Sequence, residues 1–193
     1  MSLFTEDELR SAKNSHRDYF QKSASTIILE ERNLPISQAF DIFLSHSYLD
    51  KDVIFGLNAE LEKMGYTVYV DWIADDQLDR RKVTKETADT IRKRMKNSKC
   101  LFFATSANSQ ISKWMPWECG YFDGLKDKVA ILPVAKTSQS TYNGQEYLGL
   151  YPYVDKIKPQ NGTNEILWIN ESTNTYTSFE KWLNGEKPYL HNS

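Results

Sequence analysis

Short apolar segments typical of buried strands alternate with amphipathic, helix-like segments along most of this chain. The strand patterns lie at 40–45, 67–70, 100–105, 129–134 and 166–169. The helix patterns lie at 53–64, 84–97, 112–121 and 178–183. Such alternation predicts parallel strands joined by right-handed crossovers and covered by helices on both faces of the sheet. We therefore expect an α/β fold of three layers with a central parallel sheet of about five strands.

The length of 193 residues fits one domain with a short appendage. Residues 5–8 form a capping-box pattern, which predicts a helix over 5–23 ahead of that domain. We divide the chain into an N-terminal helix and connector at 1–37, a main domain at 38–185 and a tail at 186–193.

Composition argues against several classes of protein. The formal net charge of −2 lacks the basic excess of a dedicated nucleic-acid binder. No apolar run approaches the roughly 18 residues that cross a bilayer, and the N-terminus is polar and acidic. Cys100 and Cys119 lack the grouped spacing of a zinc site and are interpreted as reduced core thiols. We expect a cytoplasmic protein without a metal that binds neither nucleic acid nor membrane.

Three predicted strands are followed by polar or aromatic residues, which indicates where a site would form. The pairs are Ser45-His46, Asp71-Trp72 and Thr105-Ser106. Ligands of an open parallel sheet bind beyond the carboxyl ends of its strands, so these pairs should converge on one crevice.

The helix after the third of these strands carries Trp114 and Glu118. Residues four apart share one helix face, so a flat ring and a carboxylate can meet the same ligand. An aromatic ring suits a base or a cationic pyridinium. A core tryptophan beside a solvated glutamate is the alternative interpretation.

The segment 73–83 is polar and lacks apolar periodicity, which predicts a long loop of the kind that often has a function. It contains Asp75, Asp76 and the basic run at 80–82. That run, Arg80-Arg81-Lys82, either attracts a pyrophosphate or is simply solvated.

Four motifs resemble Toll/interleukin-1 receptor (TIR) domains, in the order in which the family carries them. Residues 40–46, Phe-Asp-Ile-Phe-Leu-Ser-His, with the acidic pair at 50 and 52, resemble the opening strand. Residues 65–71 resemble the second strand, 73–83 the variable BB loop, and 100–106 with Trp114 and Glu118 the third strand and its helix. The resemblance covers about residues 38–135, and the run at 117–124 is similar to bacterial members rather than animal adaptors.

The resemblance implies a flavodoxin-like TIR fold and an enzymatic activity. Catalytic TIR domains carry a glutamate at the position of Glu118 and cleave the nicotinamide–ribose bond of NAD, giving ADP-ribose, cyclic ADP-ribose or an isomer. Bacterial members often serve antiphage defence, in Thoeris systems by passing a cyclic nucleotide to a separate effector. NAD is then a substrate, no cofactor is implied, and copies associate through TIR contacts. The segment 136–164 has no counterpart in a minimal TIR domain and is interpreted as an insertion.

Glu118 is the predicted catalytic residue. A departing nicotinamide leaves positive charge on the ribose, which a carboxylate stabilises, and this leaving group needs no protonation. One carboxylate therefore suffices, unlike the pair of ordinary glycoside hydrolysis.

The predicted substrate-binding residues surround this carboxylate. Trp114 would stack on nicotinamide or adenine, and Trp72 would form a wall of the pocket. Ser45 donates to phosphate or ribose or caps a helix, and His46 is a ligand contact or a structural histidine. Ser112 completes the substrate-binding set, while Asp71 is expected to tie down the loop.

Two other classes of function remain as alternatives. A non-catalytic TIR interaction module would need no carboxylate at Glu118. A phosphoacceptor receiver would place acidic residues directly after the first strand, where this chain has Ser45-His46. The sequence shows no glycine-rich loop of a dehydrogenase or P-loop enzyme.

Overall fold

Strands and helices alternate in the computed structural model, which describes residues 2–20, 34–74, 84–138, 142, 146–158 and 164–191. The strands in this part of the chain are β1 (Phe4–Thr5), β2 (Phe40–Ser45), β3 (Val68–Tyr69), β4 (Ser98–Thr105), β5 (Val129–Ala135), β6 (Tyr153–Ile157), β7 (Ile166–Asn170), β8 (Thr175–Ser178) and β9 (Tyr189–Leu190). The helices are α1 (Glu6–Phe20), α2 (Lys51–Lys63), α3 (Asp71–Ala74), α4 (Lys85–Lys96), α5 (Met115–Lys126) and α6 (Phe179–Leu183). Short 3-10 helices span Tyr48–Asp50, Ser109–Ile111 and Glu146–Leu150.

One sheet runs through the molecule in the order β3-β2-β4-β5-β6-β7-β8-β9. Its first five strands are parallel, and the last three continue it with antiparallel pairing. The short β1 pairs in parallel with the end of β5, where Phe4 faces Val134. The predicted α/β fold with about five parallel strands is therefore confirmed in its core, while the whole sheet is larger.

The fifth parallel strand is β6, which lies inside the segment interpreted as an insertion. The predicted strand at 166–169 exists as β7, but it runs antiparallel to β6, so its place in the parallel set was wrong. The pattern missed β6 because its residues include Asp155 and Lys156, which are buried here and interrupt the apolar run that signals a central strand.

Side chains of the parallel strands alternate between two apolar layers, as the pleat of a strand requires. Ile42 and Leu44 pack in the layer that contains α1, α2 and α6, whereas Phe43 points to the other face. That second layer is covered by α4 and α5, with Ile91 and Met115 at its centre. The sheet is thus sandwiched between helices.

The N-terminal helix packs against α2 through a close contact of the two backbones. A Cβ atom added at Gly56 would lie 1.8 Å from the carbonyl oxygen of Leu9, so only glycine fits at this crossing. Beside the contact, Lys13 and Arg10 pair with the carboxylate of Asp52. The sequence predicted this helix without indicating its partner. The structure places α1 in the helical layer beside the sheet.

Both cysteines are buried free thiols, as predicted. Burial raises the pKa of the Cys119 thiol to about 11 and that of Cys100 well above its ordinary value. Thiols with raised pKa values are poor nucleophiles, so these two residues act in packing.

Candidate functional site

A hydrogen bond between Ser45 and Glu118 lies at the carboxyl edge of the parallel sheet. Ser45 ends β2, and its hydroxyl donates to Oε2 of Glu118 at 2.6 Å. Both side chains have 0% exposure. A carboxylate that is held by a short hydrogen bond inside a protein keeps its orientation, which is what stabilising a developing charge requires.

The start of α5 explains why Glu118 points inward at this place. The Ser112 hydroxyl accepts from the backbone N–H of Met115, and Pro116 occupies the first turn, where its missing N–H costs nothing. The N–H of Glu118 then donates to the carbonyl of Trp114 at 2.8 Å. A carboxylate in the first helical turn also interacts favourably with the helix dipole. The Ser112 hydroxyl thus stabilises the start of α5, and its role as a ligand residue stays a prediction.

Trp114 is buried at the junction of the site and the core. Its side chain is 7% exposed and packs edge-on against Trp117, with ring centroids 5.4 Å apart and an interplanar angle of 74°. It belongs to the apolar layer under α4 and α5, yet it also lines a cavity at the surface. Trp114 therefore packs in the core and also lines a cavity, while its stacking on nicotinamide or adenine stays a prediction.

His46 connects the end of β2 to the start of α3. Its side chain is 1% exposed, with Nδ1 at 2.8 Å from the Leu44 carbonyl. The indole N–H of Trp72 donates to Nε2 of His46 at 3.1 Å, and a carboxylate oxygen of Asp71 lies 3.2 Å from the same nitrogen. The tautomer protonated at Nδ1 makes the first two bonds. These two bonds support the structural interpretation of His46, whose Nε2 in this tautomer has no proton to donate to Asp71.

Trp72 covers the outer side of this cluster. Its ring is half-buried and stacks on Phe55, with centroids 6.4 Å apart. Lys51 places its ammonium group 5.4 Å from the centre of the Trp72 ring. The ring therefore packs against Phe55 and Lys51, and its role as a wall of the pocket stays a prediction.

A second pair of loops at this edge is joined by Asp50, which the sequence indicated only as part of the acidic pair of the opening motif. Its carboxylate accepts from the hydroxyl of Ser106 and from the side-chain amide of Asn108, the latter at 2.6 Å. The loops after β2 and β4 are thereby fixed to each other. The acidic pair of the opening motif was a signal for this residue, but its partners lie 56 and 58 residues away.

An open cavity of about 460 Å³ lies between α4 and the start of α5. Its walls combine tryptophan rings with cationic side chains. The lining residues are Thr84, Lys85, Ala88, Arg92, Lys113, Trp114 and Trp117. A volume of this size is typical of pockets for small ligands. No sequence signal marks Lys85, Arg92 and Lys113 as site residues, because lysine and arginine on helices are mostly solvated. Only tertiary packing brings these three side chains together.

Some predictions fall outside the described residues. The predicted loop at 73–83 begins within α3, so its first two residues are helical, and 75–83, with Asp75, Asp76 and the basic run at 80–82, are not described. Within the described part of the chain, no group of three or more His, Cys, Asp or Glu side chains could hold a metal ion. None of the described helices is long and apolar enough to span a bilayer.

The sequence is similar to known proteins over most of its length. The sequence pattern of the TIR domain family matches residues 42–167. The chain is 54% identical over 190 residues to a Bacillus cereus (strain MSX-D12) protein named "Probable 3' cyclic ADP-D-ribose synthase ThsB'", an alignment that covers 95% of this chain and 98% of that protein. It is 34% identical over 94 residues to a Cytobacillus dafuensis protein named "Putative cyclic ADP-D-ribose synthase TIR2", covering 48% of this chain and 25% of that protein.

Proposed function

Because this chain belongs to the TIR domain family, we propose that it cleaves the nicotinamide–ribose bond of NAD as part of antiphage defence. The observation that carries the proposal is the fixed, buried carboxylate of Glu118 at the carboxyl edge of the sheet, one helical turn after Trp114. Relatives named as cyclic ADP-ribose synthases support the same reaction class.

The reaction needs little from the protein beyond orientation and charge. When the bond between ribose C1 and the pyridinium nitrogen breaks, its electron pair leaves with nicotinamide, which becomes neutral. Positive charge develops on the ribose, and the Glu118 carboxylate stabilises it. The Ser45 hydroxyl keeps that carboxylate in place, because it donates to Oε2 and so restricts rotation of the side chain. NAD is consumed as substrate, and the proposed step uses no cofactor.

The product depends on which nucleophile reaches the ribose cation. Attack by water and loss of a proton gives ADP-ribose, whereas attack by an atom of the adenosine half gives a cyclic isomer. We propose cyclisation as the main outcome, in keeping with the name of the Bacillus cereus relative, 98% of whose length aligns with this chain. A nucleophile held on the same molecule has a large effective concentration, which favours ring closure in a pocket that excludes water.

Product analysis of the purified protein with NAD tests this proposal. Chromatography should show stoichiometric release of nicotinamide together with a cyclic ADP-ribose isomer. Glu118→Gln should lower nicotinamide release by about a hundredfold or more, the usual effect of losing a preorganised electrostatic group. The matched control is Glu171→Gln, which changes an exposed carboxylate in the turn after β7, at the opposite edge of the sheet. Wild-type turnover by a folded Glu118→Gln variant would instead favour a non-catalytic interaction module.

We further propose that the protein acts in the cytoplasm through self-association and through a separate effector that senses the product. The charged residues of 73–83 include both signs, so two copies can meet head to tail. Activity per molecule should then rise with protein concentration and fall with added salt, which screens exposed charges over about 8 to 10 Å. A constant specific activity across a wide dilution series, with a monomer in light scattering, would contradict self-association.

A further inference from the structure

The cavity between α4 and α5 has a strongly positive wall. Lys85 and Lys113 are exposed, and Arg92 is half-buried between them and the tryptophan rings. Among the described residues that line the cavity, none is acidic. Asp89 pairs with Arg92 at 2.8 Å and offsets the charge of that guanidinium, so the positive charge of the wall rests mainly on Lys85 and Lys113. Glu86, in the first turn of α4, is not part of the cavity wall.

Two helices also begin beside this cavity. Thr84 caps α4 by accepting from the N–H of Thr87, and Lys113 and Trp114 directly precede α5. Each helix is 12 residues long, so its dipole places partial positive charge at this end. The helix termini and the exposed side chains of Lys85 and Lys113 therefore favour the same kind of ligand, an anion.

Aromatic rings provide a second kind of surface in the same cavity. The guanidinium of Arg92 lies 5.3 Å from the centre of the Trp117 ring, and Trp117 stacks on Tyr121 at 5.8 Å with an interplanar angle of 23°. Trp117 is half-buried, so part of its ring stays accessible. Guanidinium and indole faces side by side suit a ligand that has both phosphate groups and a flat base.

We propose that this cavity binds the adenosine diphosphate part of the dinucleotide, with Lys85 and Lys113 contacting its phosphates and Trp117 stacking on its base. The inference rests on the proposed function, because it assigns a further part of the same substrate. Trp114 joins the two regions, since it lines the cavity and its backbone carbonyl accepts from the N–H of Glu118. Phosphate binding is thereby assigned to residues other than the basic run at 80–82.

Calorimetric titration with ADP and with inorganic pyrophosphate tests the assignment without any turnover. Lys85→Glu and Lys113→Glu should each weaken binding of both compounds by about tenfold or more, with a smaller salt dependence than wild type. Lys93→Glu is the matched control, because it makes the same charge change at an exposed position of α4 that does not line the cavity. Trp117→Leu should weaken ADP binding and leave pyrophosphate binding nearly unchanged. With NAD as substrate, the lysine variants should raise KM and change kcat little.

The outcomes separate this inference from the proposed function. If the wild-type protein binds ADP and pyrophosphate through the two lysines but releases no nicotinamide from NAD, the cavity is an anion site and the proposed reaction is wrong. If NAD is cleaved and Lys93→Glu weakens binding as much as Lys85→Glu and Lys113→Glu, the effect is one of net charge and the assignment is overturned. Absence of binding to the wild-type protein at millimolar ADP and pyrophosphate overturns it as well.

Discussion

The Ser45 hydroxyl and the Glu118 carboxylate form a hydrogen bond of 2.6 Å, although 73 residues separate them in the chain. Neither side chain is exposed to solvent. The orientation of the proposed catalytic carboxylate consequently depends on a residue at the end of the central strand β2.

Replacing Ser45 by alanine should lower activity while the fold persists. A hydrogen bond to a charged group contributes about 1.5 to 3 kcal/mol, which corresponds to roughly 10- to 100-fold in the rate of nicotinamide release. Ser47→Ala is the control, because the Ser47 side chain is also buried but accepts from the N–H of Leu49 and does not contact Glu118. Equal losses of activity in the two variants would show that the Ser45 contact has no special role.

Trp114→Phe should keep part of the activity, whereas Trp114→Ala should lose most of it. Truncating a buried tryptophan costs about 3 to 5 kcal/mol in folding stability, and loss of stacking on a base costs about 1 to 3 kcal/mol in binding. Trp182→Phe makes the same change at a ring of 5% exposure in the opposite layer. Melting temperature and KM for NAD are measured for each variant. A Trp114→Phe variant whose melting temperature falls but whose KM stays at the wild-type value would assign Trp114 to the core alone.

Gly56→Ala should destabilise the contact between α1 and α2. The added methyl group would overlap the Leu9 carbonyl at 1.8 Å, and overpacking of this kind typically costs about 1 to 3 kcal/mol. Gly120→Ala is the control, since a Cβ there meets nothing within 4 Å and alanine favours a helix by roughly 0.5 to 1 kcal/mol. Urea unfolding and limited proteolysis of the N-terminal segment report the effect. An unchanged free energy of unfolding in Gly56→Ala would mean that α1 does not pack as described.

Asp155→Asn should stabilise the protein at neutral pH. Burial raises the pKa of the Asp155 carboxyl from 3.8 to about 6, while the Asn170 side chain acts in the opposite direction. Between about pH 4 and 6 the folded state therefore binds more protons than the unfolded chain, so the stability contribution of this group falls as pH rises through that window. Above pH 6 the ionised Asp155 carboxylate lowers the free energy of unfolding by its full amount, on the order of 2 to 3 kcal/mol.

Urea unfolding of the wild type and of Asp155→Asn across this pH range measures the difference. The gain in the free energy of unfolding should be small near pH 4 and largest above pH 6. Asp127→Asn serves as the control, because this exposed residue has a φ of 51°, a conformation that asparagine also tolerates. A gain that does not vary with pH would contradict the raised pKa of Asp155.

The sequence determined the layered architecture, because the local spacing of apolar residues predicts the strands and helices that form the layers. Alternating residues such as Ile42, Phe43 and Leu44 predict a strand buried on both faces, and apolar residues at helical spacing predict the helices that cover it. The sequence also indicated that Trp114 lies one helical turn before Glu118, and the Glu118 N–H does donate to the Trp114 carbonyl at the start of α5. Local patterns suffice for such features because the interacting residues lie within a few positions of each other.

Only the tertiary structure decided which residues surround Glu118. Ser45 donates to the Glu118 carboxylate and the Ser112 hydroxyl accepts from the N–H of Met115, while their contacts to the ligand stay predictions. Strand β6 escaped detection because Asp155 and Lys156 are buried polar residues whose environment is built by distant segments. The cationic cavity likewise needs α4 and α5 to be packed side by side. Contacts between residues far apart in the chain follow from the order in which the strands lie side by side in the sheet. No local pattern encodes that order.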